Sequence, residues 1–367
     1  MKTPIYITVH STLLPSDDGR TVPQFAYNGK HWVGRIAEER LRLLGAYDRN
    51  QLKQFNRLDR TGKIAACLLE DLLMRDPAFR ADYFVVGSAR GATGLIEQYH
   101  ADFLNTEAVS IHTSPLTTAG NIASAAAHIQ QLDISCMTLS MTCSSALHAL
   151  IQVAERIASG SISSGIAGGV ESAITPFTVA QFEALRLAAK AESPETYPCR
   201  PFAGDAINRV VLSEGGAFFG LSAGWSPYRI TGWGEAGQHL SSSVSIAREA
   251  LERSMQRALD AANRQTVDLV FAHAPGTAVG DPEELAAVRR VLGAHPRVVS
   301  GKWLTGHTLG ASGAISLAQA IQALEVGFPD YPYEAKGCGG FTGIPRSAMV
   351  NSTGFGGNAA SLIIEKL

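Results

Sequence analysis

Residues 135–160, SCMTLSMTCSSALHALIQVAERIASG, set a short apolar run against a helical pattern, with Cys143 at the junction. A thiol at the start of a helix faces unpaired N–H groups and the positive end of the helix dipole, which predicts a lowered pKa and a prepared nucleophile. The segment alone fits an inert buried cysteine better, and Cys67 and Cys136, inside apolar helix or strand patterns, are read that way. A reactive thiol needs a base or electrophilic donors nearby. Two histidines offer them: His273 in FAHAPGTAVGDPEE and His307 in GKWLTGHTLGASGA. Each follows a strand pattern and sits in a Gly/Thr-rich loop before a helix, where α/β proteins place site residues. The other eight histidines, His148 among them, read as packed or solvated. In STGFGGN, residues 352–358, Gly354, Gly356 and Gly357 surround Phe355. The stretch reads as a tight hairpin, or as a hinge that swings Phe355 over a pocket.

The elements that must position these residues alternate. ADYFVVGSARG is a buried strand entering a glycine loop, and ATGLIEQYHADFL a helix. SCMTLSM is a strand, and the helix after it carries Ala146, Leu147, Leu150, Val153, Ala154 and Ile157 on its apolar positions and closes at Gly160. SGIAGGVES is a further strand. The second half repeats the order: VDLVFAHAPGT then DPEELAAVRRVLG, RVVSGKWLTGHTLG then ASGAISLAQAIQALEVG, and closing strands in AMVNSTGFGGNAASLIIEKL. Two halves with one order of elements suggest an internal duplication. On that alignment Cys143 and His307 occupy matching strand-to-helix junctions. With no low-complexity linker, the halves are expected to form one unit, divided as 1–224 with the nucleophile and 225–367 with both histidines and the glycine loop.

Bulk properties narrow the function. The chain has 367 residues, 46% apolar, enough for a substantial core. Only 17% are charged, below the roughly 25% usual for soluble proteins, which points to a large subunit interface. A net charge of −2 without a Lys/Arg run argues against nucleic acid or an anionic membrane as the main partner. No apolar stretch approaches the roughly 20 residues of a membrane span, and the opening MKTPIYITVH is too short and polar for a signal peptide, so a cytoplasmic location is expected. Five cysteines without C-x-x-C spacing indicate neither a disulfide framework nor a zinc site.

From about residue 80 onward the chain resembles the elongating β-ketoacyl-acyl carrier protein synthases of the thiolase-like superfamily, the Cys-His-His type. MTCSSALHAL is similar to the nucleophile motif, AGGVESAITPF to the strand after it, and CRPF with SEGGAFFGL to the middle stretch. HAPGT followed by GDPEE resembles the first-histidine motif, SGKWLTGHTLGASGA the lysine and second-histidine motif, and NSTGFGGN the gating loop. The resemblance implies a thiolase-like α/β fold, two duplicated halves in a five-layer αβαβα sandwich.

It also implies a decarboxylative condensation. Cys143 would take an acyl group from acyl carrier protein, with the N–H groups of Cys143 and Phe355 as oxyanion hole. His273 and His307 would hold the thioester of malonyl-carrier protein as it loses carbon dioxide, and the chain would grow by two carbons. Lys302 matches the family lysine that organises the site, Glu214 an acidic residue near it, Thr277 a pantetheine contact, and Gly354, Phe355, Gly356 and Gly357 the gate. No metal or organic cofactor is implied, since the carrier's phosphopantetheine presents the substrates. The implied partners are acyl carrier protein and a second synthase subunit, identical or related.

This sequence departs from the family at Pro275, where a hydroxyl is usual, at Thr353, where an aromatic is common, and after CRPF, where an Asp/Arg-rich run is missing. The departures point toward a specialised polyketide, polyene or lipid synthase rather than the housekeeping fatty-acid enzyme. A degradative thiolase would use another late cysteine, and a priming synthase an asparagine in place of His307. A non-catalytic subunit would lack Cys143. The remaining alternatives are the catalytic member of a ketosynthase/chain-length-factor-type heterodimer and a non-condensing cysteine acyltransferase.

Overall fold

The computed structural model describes residues 3–16, 24–27, 29–191, 197–240, 247–328, 330, 335 and 337–367. The first half runs β1 (Ile5–Leu13), β2 (Gln24–Tyr27), β3 (His31–Gly34), α1 (Arg49–Arg57), α2 (Arg60–Arg75), β4 (Tyr83–Gly87), α3 (Thr93–Thr106), α4 (Thr113–Thr117), α5 (Asn121–Ile129), β5 (Ser135–Leu139), α6 (Ser145–Ala158), β6 (Ser164–Glu171), α7 (Pro176–Ala184), β7 (Leu212–Ser213) and β8 (Gly215–Ser222). The second runs β9 (Tyr228–Gly237), α8 (Arg248–Ala262), β10 (Leu269–Phe271), α9 (Gly280–Leu292), β11 (Arg297–Val299), α10 (Lys302–Thr305), α11 (Ser312–Val326), β12 (Ser347–Gly354) and β13 (Asn358–Lys366).

The duplication is visible in the strand order. In the first half β4 lies parallel between β5 and β6, and β6, β8 and β1 follow antiparallel. In the second, β10 lies parallel between β11 and β12, and β12, β13 and β9 follow antiparallel. The halves join where β1 pairs with β9 over Ile5↔Ile230 and Tyr6↔Arg229, giving one continuous ten-stranded order with β11 and β5 at its edges. Parallel strands covered on both faces need continuous apolar runs, and Tyr83, Phe84, Val85 and Val86 of β4 are all buried.

Three layers of helix clothe the two half-sheets. Helix α6 touches β4 and β6 on one side and β9 and β13 on the other, and α11 likewise reaches β8 and β12, so both lie between the half-sheets. That explains why α6 buries Ala146, Leu147, Ala149, Leu150, Ile151, Val153, Ala154 and Ile157, more of its circumference than a surface helix could. Outside the first half-sheet, α2 and α5 bury Leu68, Leu69, Ile122 and Ala126. Outside the second, α8 and α9 bury Leu251, Met255, Ala287 and Val288. The sequence of layers is αβαβα. Among the described residues, no helix is long and apolar enough to cross a membrane.

Candidate active site

Parallel strands of both halves deliver their C-terminal ends to one place. Cys143 follows β5, His273 follows β10, His307 lies beyond β11 and α10, and Phe355 follows β12. One ligand-type atom from each of Cys143, His273 and His307 lies within 4.8 Å of the other two. The imidazole rings stand edge to face, centroids 5.2 Å apart. With the Lys302 ammonium acting on all three side chains, a dication is disfavoured, and we read the cluster as a reaction centre rather than a metal centre.

Cys143 sits on a strained strand-to-helix turn. Thr142 has φ 51°, in the left-handed region that a β-branched residue rarely enters. The surrounding bonds hold it there: Thr142 Oγ1 donates to the Phe355 carbonyl at 3.2 Å, Ser145 Oγ donates to the Thr142 carbonyl at 2.6 Å, and Ser352 Oγ donates to the Cys143 carbonyl at 3.0 Å. The matching junction after His307 contains Leu309 at φ 43°. Of the glycines around Phe355, a Cβ on Gly354 would lie 1.9 Å from Thr142 Oγ1, and one on Gly357 2.1 Å from the Gln238 carbonyl. These two are therefore needed for close packing rather than for a hinge. At Gly356, φ +86°, a Cβ would make only an ordinary contact, 3.8 Å from Asn358 Nδ2, and Phe355–Gly357 form the turn between β12 and β13.

The electrostatics differ from the expectation of a lowered thiol. Burial pushes the Cys143 thiol up to about 12, and Glu171 pushes in the same direction, against Lys302 and Arg90. The resting thiol is therefore protonated at neutral pH. Burial, with Lys302 next, holds His273 and His307 well below the ordinary histidine value, and both imidazoles are neutral. His307 Nδ1 lies 3.0 Å from Ser312 Oγ. His273 Nδ1 has no hydrogen-bond partner among the described residues, and its own N–H donates to Glu284 Oε1 at 2.7 Å.

Glu284, which the sequence reading passed over, is central. Its second oxygen accepts from the Ala274 N–H at 2.7 Å, and its charge is the first to sustain the Lys302 cation against burial. Burial raises Glu284 itself to about 7. Asp281, one helical turn earlier, accepts from the N–H groups of Gly276, Thr277 and Phe202 and from Thr277 Oγ1. The signal was present in GDPEE, where carboxylates three apart share one face of the start of α9. Acids in a first helical turn are ordinary, so the spacing did not stand out.

Glu214 is held by partners of its own. Its carboxylate accepts from Arg60 Nε at 2.8 Å, from Ser172 Oγ at 2.7 Å and from the Ile36 N–H at 2.6 Å. It is satisfied by Arg60, and the carboxylates that act on Lys302 are Glu284 and Asp281. Thr277, expected to touch pantetheine, spends its hydroxyl proton on Asp281 and retains only acceptor capacity.

A cavity of 230 Å³ opens over the centre, lined by Cys143, His273 and His307 with Phe355, Thr277 and Leu251 among its walls. No residue of β5 lines it, so it approaches Cys143 from the histidine side.

The sequence matches the β-ketoacyl synthase N-terminal domain over residues 65–222 and the β-ketoacyl synthase C-terminal domain over residues 229–329. It is 31% identical to the actinorhodin polyketide β-ketoacyl synthase 1 of Streptomyces coelicolor over 212 residues, 52% of this chain and 43% of that protein. It is 28% identical to 3-oxoacyl-[acyl-carrier-protein] synthase 2 of Vibrio cholerae over 77% of this chain and 75% of that protein. The chain spans about half the length of the curated polyketide relatives it matches. In fold it is similar to the ishigamide ketosynthase/chain length factor, with TM-score 0.86 at 19% identity over 100% of both chains. A ketosynthase in complex with its chain length factor from Xenorhabdus doucetiae gives TM-score 0.78 at 21% identity, over 100% of this chain and 98% of that one.

Proposed function

The chain belongs to the β-ketoacyl synthase family, of thiolase-like fold, and from that membership we propose that it condenses an acyl group held on Cys143 with malonyl-acyl carrier protein. The observation that carries the proposal is the approach of Cys143, His273 and His307 within 4.8 Å at matching ends of duplicated half-sheets. Cys143 Sγ attacks the thioester carbonyl of an acyl-carrier protein, the C–S bond to the carrier breaks, and the thiol proton passes to the departing pantetheine sulfur. The N–H groups of Cys143 and Phe355 face the oxyanion. Malonyl-carrier protein then loses carbon dioxide. Neutral imidazoles suit the enolate, because each donates one N–H to the thioester oxygen without protonating the carbanion. A Ser312 hydroxyl donating to His307 Nδ1 keeps the His307 proton on Nε2 for that task. The carbanion attacks the acyl-Cys143 carbonyl, the C–S bond breaks, and the sulfur regains a proton.

Lys302 and Glu284 act on the histidines, Lys302 by keeping them neutral and Glu284 by gripping the backbone of His273 and Ala274. Phe355 lines the cavity beside Cys143 and is assigned as the gate, and Thr277 as an acceptor for the pantetheine arm. The substrates arrive on acyl carrier protein and no cofactor is assigned. A second subunit pairs along β5. A related, non-identical partner is favoured by two similar structures in which a ketosynthase is paired with a chain length factor. The test is intact-mass spectrometry after incubation with a panel of acyl-carrier proteins: one acyl unit on Cys143 and chain extension on adding malonyl-carrier protein are expected. Acylation without extension would leave a non-condensing acyltransferase.

A further inference from the structure

Glu171 closes β6, is fully buried, and has no place in the chemistry above. Its Oε1 accepts from Ser88 Oγ at 3.1 Å and from the Arg90 N–H at 3.3 Å, and its Oε2 from the Ala89 N–H at 2.7 Å and the Gly310 N–H at 3.1 Å. Among the described residues no salt bridge joins it to a cation, and three backbone N–H groups and one hydroxyl donate to its two oxygens.

The donors belong to two loops. Residues 88–90 follow β4, and Gly310 lies three residues beyond His307. The loops touch: a Cβ on Gly310 would lie 2.3 Å from the Ala89 nitrogen and 2.8 Å from Glu171 Oε2. The first loop also meets the approach to the nucleophile, where Ser140 Oγ donates to the Ala89 carbonyl at 3.3 Å. The titratable and charged groups around the carboxylate are the Cys143 thiol, Arg90 on the gripped loop, His307 on the facing turn, Lys302, and the Arg60–Glu214 pair beside the adjoining strand β8.

We propose that Glu171 is a positioning residue of the condensing site, a buried carboxylate that clamps the loop after β4 to the turn carrying His307. The clamp fixes His307 relative to Cys143, and the Glu171 charge adds to burial in opposing loss of the Cys143 proton. Burial raises Glu171 to about 7, so the clamp is complete only above neutrality.

The inference rests on the condensing reading, and the test separates the two because alkylation of Cys143 by iodoacetamide needs no carrier protein. In Glu171→Gln the thiol loses an opposing negative charge. Its alkylation profile should move to lower pH and its rate at pH 8 rise about tenfold, one pKa unit, while condensation falls about tenfold or more. Opposite movement of the two rates is not the mark of a merely loosened fold. A folded Glu171→Gln protein whose alkylation profile superimposes on the parent's would overturn the proposal. If that variant does not fold, Ser88→Ala decides. Loss of one donor raises Glu171 further, and the rising limb of the condensation pH profile should move upward from about pH 7. A limb that stays in place would sink the idea.

Discussion

The hydroxyl of Ser312 lies 3.0 Å from Nδ1 of His307, and the same hydroxyl is 3.2 Å from Thr308 Oγ1. A histidine's free nitrogen is set by the bond its other nitrogen makes, and the condensing reading has Ser312 donate to Nδ1 so that Nε2–H serves the thioester oxygen. Ser312→Ala should slow malonyl decarboxylation about tenfold, the worth of one hydrogen bond of roughly 1.4 kcal/mol, and leave acylation of Cys143 within about twofold. Separate assays of carbon dioxide release and acyl-enzyme formation check this. Equal losses in both would show that Ser312 supports the fold rather than the tautomer.

Cys143→Ala should abolish both the acyl adduct and condensation, with no adduct appearing on Cys67 or Cys136. Cys67 is buried in α2 with its thiol pushed up to about 12. His307→Ala should keep the adduct and cut decarboxylation by about 10² or more, the scale of one lost oxyanion donor. Full decarboxylation in that variant would mean that the histidine roles are misassigned.

The fold was legible because it is repetitive. Strand and helix patterns recur in the two halves, and the equivalence of the Cys143 and His307 junctions follows from that recurrence. The glycine loop was legible as a turn, but spacing alone cannot tell a hinge glycine from one pressed against a neighbour, as Gly354 is against Thr142. The charge network was the least legible. Glu284 and Glu171 act through burial and through backbone N–H groups from other parts of the chain, and nothing in GDPEE or GGVES records that burial. The thiol expectation differs for the same reason: a helix end is local and visible in sequence, whereas the burial that raises Cys143 is tertiary.

Lys302 gives a pH test with two opposite signs. Its cation lowers His273, His307 and the Cys143 thiol. In Lys302→Met the histidines should rise toward the ordinary value of about 6.5, so they protonate earlier on acidification and the acid limb of decarboxylation moves to higher pH. The thiol should rise too, so alkylation at a fixed pH should slow severalfold. A profile whose acid limb is unmoved would remove Lys302 from the control of the histidines.

The glycines of the β12–β13 turn should separate packing from gating. Gly354→Ala puts a methyl group against Thr142 Oγ1 and the Met141 carbonyl, 1.9 and 2.8 Å away, and should cost about 1–3 kcal/mol of stability while displacing the Cys143 turn. Gly356→Val puts its Cβ 3.8 Å from Asn358 Nδ2, an ordinary contact, but holds a β-branched residue at φ +86°, at a cost of roughly 1–2 kcal/mol. It should slow acylation without unfolding the protein. Thermal melts beside single-turnover acylation decide. Unchanged acylation in Gly356→Val would leave Phe355 a wall of the cavity and not a gate.

The last expectation concerns the edge at β5. An edge strand exposes unpaired N–H and C=O groups, and proteins cover or blunt such edges. Here the strand is SCMTL, its last four residues are half-buried, and it carries no charge. Helix α5 packs on β5, α4 on α5 and α3 on α4, and the α3–α4 region leaves Leu104, Val109 and Ile111 exposed at 67%, 67% and 87%. An apolar, uncharged edge with such a flank suits a partner strand, which would continue the sheet and bury well over about 2,000 Å² in total. Cys143 begins only four residues after β5, so the partner would also brace the nucleophile's turn. Sedimentation at micromolar concentration should give a dimer, and hydrogen exchange should show the amides of Cys136, Met137, Thr138 and Leu139 protected to the degree of the interior strand β4. A monomer active in condensation, with β5 exchanging freely, would place the subunit contact elsewhere.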